Sequence, residues 1–378
     1  MPHGKPSCGP VERKNMKTAH YTILFHTPAF LGNAEQSGQW RTPPFKAQLR
    51  QWWRVAYAAS LGFTPDVARM REEEGRLFGH AWLENDRDEQ GEKVAARKSQ
   101  VRIRLLHWDP GSLSKSRWSP LAQVKHPEAP DATADLYLGF GPVVLPRGER
   151  TPTLKANAAI QTGEENTFAI AYPDEHAPLI EQALALMSRF GTVGGRSRNG
   201  WGSYSLHDIG DVPSLPLRPW QDALKLDWPH AIGSDAKGAL IWQTTPFADW
   251  QPLMRELAII KIGLRTQRPD FELTPDYSAG DRETRNGINH EVPQARHWLS
   301  YPVTHHDVSG WKKNNARLPN SLRFKIRPAP DGQLVGVIFH MPCLPPPAFK
   351  PQREAINAVW QQVHAFLDKQ SSLTRTRA

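Results

Sequence analysis

Trp40-Arg-Thr-Pro-Pro-Phe-Lys-Ala-Gln-Leu-Arg-Gln-Trp-Trp-Arg-Val-Ala-Tyr57 is the stretch from which the rest of this 378-residue chain can be read. Thr42 suits a cap, and Pro43 and Pro44 suit a first helical turn, where a missing N–H costs nothing. The pattern predicts a helix over residues 44–60. Phe45, Leu49, Trp52, Ala56 and Ala59 recur at spacings of three and four, giving one apolar face that can pack on a sheet. Lys46, Arg50 and Arg54 form a second stripe at i, i+4 and i+8, with Trp53 beside them. Like charges at that spacing oppose helix formation by a few tenths of a kcal/mol per pair, roughly. No acid occurs between Glu35 and Asp66 to relieve them. A polyanionic partner would account for the missing counter-charge, and a solvated basic face is the plainer alternative.

Composition points the same way. The formal charge is +9 and the pI about 9.6, which favours anionic partners, nucleic acid before an acidic membrane surface. Two cysteines, Cys8 and Cys343, build neither a disulfide framework nor a thiolate metal site. With no signal peptide and no long apolar run, the expectation is a cytoplasmic protein without membrane partners. Several of the fourteen tryptophans adjoin cations, as in Trp40-Arg41, Trp53-Arg54, Arg117-Trp118 and Trp311-Lys312. Some of these could serve as stacking platforms for bases.

Working outward, residues 1–17 read as a mobile basic arm and residues 18–27 as a strand. Residues 67–78 read as a short helix and 84–98 as a mixed-charge surface insertion. The strand at 101–107 places Arg102 and Arg104 on one face. Residues 109–162 form a long excursion rich in Pro, Gly, Ser and Asp. A strand at 167–172, a helix at 176–189 and a strand ending near 209 complete a β-α-β-β-α-β order, which is ferredoxin-like. Residues 211–236 read as a linker and 237–370 as a second, divergent unit of the same order, with Asp331-Gly332 as its hairpin turn. Residues 371–378 read as a disordered tail. The expected fold is therefore α+β, two ferredoxin-like (RRM-like) domains at 18–210 and 237–370 with long loop insertions.

A second basic window is the loop Phe190-Gly-Thr-Val-Gly-Gly-Arg-Ser-Arg-Asn-Gly-Trp-Gly-Ser-Tyr204. Its glycines allow positive φ and close backbone approach, and its N–H groups suit phosphate oxygens. No acid lies between Gln182 and His207. No Gly-Lys-Ser/Thr follows, so it is not a Walker A loop. If the loop after the first strand approaches it, Lys46, Arg50 and Arg54 would line one groove with Arg196 and Arg198.

These residues resemble the RAMP superfamily. The likeness is to the family of the first subunit of the Cmr effector complex of type III-B CRISPR systems. It is carried by Thr27-Pro-Ala-Phe-Leu-Gly, the 41–54 helix, Arg76-Leu-Phe-Gly, Gln100-Val-Arg-Ile-Arg, Tyr137-Leu-Gly-Phe-Gly-Pro, the glycine-rich loop and Ser321-Leu-Arg-Phe-Lys. It runs from about residue 18 to 345; the insertions at 84–98 and 109–135 and the region after 345 depart from it. The resemblance implies two RAMP domains in a ribonucleoprotein that uses CRISPR RNA to capture target RNA, with other Cmr subunits as partners. It implies RNA contacts near the 3′ part of the guide by Lys46, Arg50, Arg54, Arg196 and Arg198, and Arg41, Trp53, Ser197 and Asn199 are expected in the same RNA-binding surface.

Catalysis is not expected. Slicing RAMP subunits place an aspartate in the loop after the first strand, where this chain offers only Glu35. The alternative is a metal-independent nuclease that cuts CRISPR precursor RNA, for which His26 would be the general acid or base. A further alternative is a general single-stranded RNA-binding module. His305-His306-Asp307 does not suggest a metal site, because adjacent residues of an extended chain point to opposite faces. No metal and no cofactor are expected.

Overall fold

The computed structural model describes residues 15–35, 37–81, 83–88, 90–127, 132–156, 159–211, 214–266, 288–304 and 306–376. The expected mobile arm lies outside the described residues as far as Lys14. Strand β1 (Met16–Phe25), the first element among the described residues, begins two residues earlier than its alternation suggested. Helices α1 (Thr42–Ser60) and α2 (Val67–Phe78) follow, then strand β2 (Arg102–Leu105) and the short helix α3 (Ala134–Gly139) within the excursion. Strand β3 (Glu165–Pro173), helix α4 (Ala177–Phe190) and strand β4 (Tyr204–Leu206) complete the first half. Its four strands make an antiparallel sheet in the order β2-β3-β1-β4.

The second half repeats this plan with β5 (Ile241–Thr244), α5 (Trp250–Arg265), β6 (Leu322–Pro328), β7 (Leu334–His340), α6 (Arg353–Lys369) and β8 (Leu373–Arg375). Their sheet order is β6-β7-β5-β8. Asp331 closes the β6–β7 turn by accepting from the Gln333 N–H, and Gly332 takes φ 82°, where a side chain would be strained.

Three expectations need correction. Residues 211–236 are not a bare linker: Leu217–Pro219, Trp220–Ala223 and Ile232–Asp235 form strands and a helical turn, with Trp220, Leu224 and Ile232 buried. Pro and Asp density there marks turns between short elements. The tail expected from 371 is partly strand, because Leu373–Arg375 pairs with β5 and Arg375 is gripped by Asp235 and Asp368; residues 377–378 lie outside the described residues. The insertion at 84–98 has a buried centre, since Asp86 accepts from His80 and Arg97.

The layers explain α1. Phe45 and Leu49 share a core with Ile23, Phe25 and Phe168 of the first sheet, as the apolar pattern required. That core also contains Val335, Val337 and Phe339 of β7, so α1 and α4 lie between the two sheets. Trp52 and Phe190 meet the Phe339 ring at centroid distances of 6.4 and 5.0 Å. The other face of the second sheet packs Phe324, Trp242 and Ile338 against α5 and α6. A helix with a sheet on both sides and α2 alongside is buried over most of its circumference, and Trp53, against Phe78 of α2, is only 1% exposed. Trp52→Ala should therefore lower unfolding free energy by about 3–5 kcal/mol, from lost transfer energy and the cavity left between the sheets. A urea melt of the variant checks this.

Candidate nucleic-acid interface

The stripe on α1 has a counter-charge that its own helix does not supply. Glu74 of α2, its side chain 6% exposed, sits between the two arginines. Arg50 Nε donates to Glu74 Oε1, while Arg54 donates from Nε to Oε2 and from Nη2 to Oε1, each at 2.7 Å. Lys46 Nζ donates to the Phe78 carbonyl at 2.9 Å, and burial, with Arg50 nearby, lowers its pKa. Two guanidiniums on one carboxylate keep a net charge of one, so the stripe is basic but not unpaired. Lys46 and Arg50 line an open cavity of about 480 Å³ with Phe78, His80 and Arg97.

Trp53 is corrected. It packs on Tyr57 and Phe78 at 5.1 and 5.8 Å and presents no ring to a base. Arg41 stands at the start of α1 and donates from Nη1 to the Gly32 carbonyl at 2.7 Å.

The glycine-rich loop lies elsewhere. Gly195 N–H donates to Phe30 O and Gly202 N–H to Pro28 O, both at 2.9 Å, which ties the loop to the segment after β1. A Cβ on Gly202 would fall 1.9 Å from the Val193 carbonyl, so only glycine fits that approach. Trp201, fully buried against Phe30, Trp118 and Trp250, anchors the loop. Its far side joins the second half, where Phe324 N–H donates to Arg198 O at 3.0 Å. Lys325 reaches back, donating to the carbonyls of Ser188 and Gly191 at the end of α4.

The loop and the stripe do not share a groove. On α1 the stripe spans roughly 80°, and Gln48 and Gln51 lie roughly 100–160° round the helix from its centre. It is Gln48 that abuts Gly191, and Gln51 that accepts from Arg323. The stripe faces α2 instead.

What the loop gathers is a different set of cations. Arg196, at φ 56°, donates from Nε to the Phe140 carbonyl at 2.6 Å. A left-handed arginine is a conformation that functional loops hold against local strain. Asn199 donates to the Leu138 carbonyl at 2.7 Å and accepts from Lys261 Nζ at 2.6 Å, so its amide is structural on both sides. Lys261 and Arg265 come from α5. Burial first, then the charges of Arg265 and Arg196, lower the Lys261 pKa to about 7. Arg198 is exposed, Ser197 half-buried, and burial, followed by the nearby charge of Arg198, lowers the Arg323 pKa. Among the described residues no carboxylate pairs with Arg196, Arg198, Lys261, Arg265 or Arg323, so the acid-free window persists in space. Phe140, 60% exposed, stands at its rim.

Lys261, Arg265 and Arg323 were not found from sequence. The first two sit in an otherwise apolar helix and give no local signal, while Arg323 lies in the quoted Ser321-Leu-Arg-Phe-Lys motif.

His26 is corrected as well. It is buried, its Nε2 is 2.9 Å from Ser205 Oγ, and burial together with Lys325 and His207 lowers its pKa to about 3. A neutral, enclosed imidazole does not reach a phosphodiester. His305 lies outside the described residues, and Asp307 pairs with Lys312. No described helix is long and apolar enough to cross a membrane.

Residues 22–205, which hold α1 and the glycine-rich loop, match the model of the RAMP superfamily. Among solved structures, the chain is similar to Cmr1 from Pyrococcus furiosus in its apo form, at 16% identity and a TM-score of 0.44, covering 95% of this chain and 98% of that one. It is also similar to a chain of a type III-B Cmr-beta complex bound to cognate target RNA and AMPPnP, at 12% identity and a TM-score of 0.41, covering 93% and 99%. No curated protein matches the chain.

Glu74→Gln should destabilise the fold by about 1–3 kcal/mol, because a buried anion that two arginines share is replaced by a neutral amide. The shift of the urea midpoint measures it.

Proposed function

We propose that this chain is a non-catalytic RNA-binding subunit of a type III CRISPR ribonucleoprotein of the Cmr kind. In this reading it contacts CRISPR RNA near its 3′ part, helps capture target RNA, and works with other Cmr subunits in the cytoplasm. The observation that carries it is the acid-free convergence of Arg196, Arg198, Lys261 and Arg265 on a glycine-rich loop inside a RAMP segment. The strand order second-third-first-fourth in both sheets supports two ferredoxin-like units, one on each side of residue 236. Backbone phosphates are the natural ligand of such a cluster, with guide pairing supplying sequence specificity. Lys46, Arg50 and Arg54 form a separate, weaker basic edge. His26, enclosed and neutral, offers no general acid for the nuclease reading.

The test is binding of end-labelled single-stranded RNA across a salt series, in magnesium and in EDTA. Intact, shifted RNA supports the proposal, and cleavage would replace it with the nuclease. Arg196→Ala should weaken binding and reduce the salt slope by about 0.7, the share of one phosphate on a single strand. An unchanged slope would remove the loop from the interface. Dependence of tight binding on other Cmr subunits separates this reading from a general RNA-binding module.

Lys261 adds a pH test. Its ammonium must be charged to hold a phosphate, and it loses its proton near pH 7 in the unliganded chain. Affinity should therefore fall as pH rises from 6 to 8, and Lys261→Arg should flatten that fall.

A further inference from the structure

Among the described residues, no layer packs on the arginines of the first sheet's face turned away from α1 and α4. The strand register defines it. Arg104, Ala169 and His20 form one row across β2, β3 and β1, and Arg102, Ala171 and Thr18 form the next. Beyond Arg104, the N–H of Leu106 bonds to the Thr167 carbonyl, and Thr167 pairs with Thr22. The middle strand thus contributes only Ala171, Ala169 and Thr167, a shallow floor between taller side chains. Arg102, Arg104, Thr18 and His20 are exposed. Leu106 is 70% exposed and Trp108, two residues on, 59%.

These arginines differ from the others discussed. Arg50 and Arg54 share Glu74, and Arg196 holds a carbonyl. Among the described residues the side chains of Arg102 and Arg104 make no hydrogen bond and no ion pair. Asp109, the closest acid in sequence, pairs with His107 at 3.1 Å. Side chains at alternate positions on a strand stand about 7 Å apart, and the row from Arg104 to His20 spans about 10 Å. An extended polynucleotide strand can lay successive phosphates against two cations so spaced and its bases across a flat floor. Trp108, exposed three residues beyond the end of β2, offers a stacking surface.

We propose that this open sheet face is a second surface for single-stranded RNA, with Arg102 and Arg104 on phosphates and Trp108 stacking on a base. The inference rests on the RNA-binding reading and extends it to a face remote from the glycine-rich loop. A protein partner fits less well, since interface centres are depleted of unpaired charge and this face centres on two bare guanidiniums.

The experiment uses the full chain and a fluorescein-labelled 20-nucleotide oligouridylate, with anisotropy read across a salt series. The variants are Arg102→Ser with Arg104→Ser, Trp108→Ala, and Arg196→Ala as the loop control. All the altered side chains are exposed, and melting temperatures confirm folding. The double variant should lose roughly tenfold in affinity and about 1.4 in salt slope, two contacts at about 0.7 each. Trp108→Ala should weaken binding with the slope unchanged. If both bind as wild type while Arg196→Ala is impaired, the sheet face is overturned and the proposed function stands. If wild type binds no RNA, both fail. If RNA binding is untouched but the double variant no longer joins other Cmr subunits, the face belongs to a protein partner and the inference is wrong.

Discussion

One buried ammonium ties the molecule together. Lys325 Nζ ends on the carbonyls of Ser188 and Gly191, where α4 stops and the glycine-rich loop begins. A helix C-terminus leaves carbonyls without partners, and a cation there satisfies them while complementing the dipole. Desolvation presses the Lys325 pKa well below its ordinary value, so the site is costly unless those carbonyls are in place. The amine comes from the second half and the carbonyls from the first. The start of the loop is thus held from both halves, and β6 lies alongside it through the Phe324–Arg198 backbone bond.

Charge is handled differently at the two basic windows. On α1, crowding of cations is relieved by Glu74, which reaches in from α2 and fixes both guanidiniums. At the loop, crowding is left standing: Lys261 is pushed toward neutrality by its neighbours, and carbonyls rather than carboxylates hold Arg196 and Asn199. Carbonyls orient a cation without cancelling its charge, which leaves the field available to an anion. Helix α3 and Phe140, both from the long excursion, supply those carbonyls. The excursion is thus part of the wall of the site.

The apolar face of α1 was legible because Phe45, Leu49 and Trp52 keep helical spacing, and all three are buried. Trp53 was misread for a geometric reason: periodicity reports one packed face, whereas α1 also packs against α2, whose Phe78 covers the Trp53 ring. The missing counter-charge was misread because absence of acid along a window says nothing about Glu74, twenty residues further on. The gathering of Lys261 and Arg265 at the loop could not be seen, since α5 carries a core pattern and its place over the loop comes from tertiary packing. The strand at 373–375 has the polar composition of a tail, and what holds it is backbone pairing plus Arg375, neither of which leaves a pattern.

The sandwiching of α1 and α4 also sets an order in time. During synthesis the first half can close its own sheet, yet the outer face of its helices, with Trp52 and Phe190, has no cover until β7 arrives about 150 residues later. At ordinary translation rates that is an interval of roughly 10–30 s. For that time the nascent chain carries an aromatic surface destined for its own second half. The segment made meanwhile contains the Trp220 and Ile232 elements, and Ile232 enters this same core. The stretch that composition marked as a connector thus contributes a residue to the core that β7 later closes.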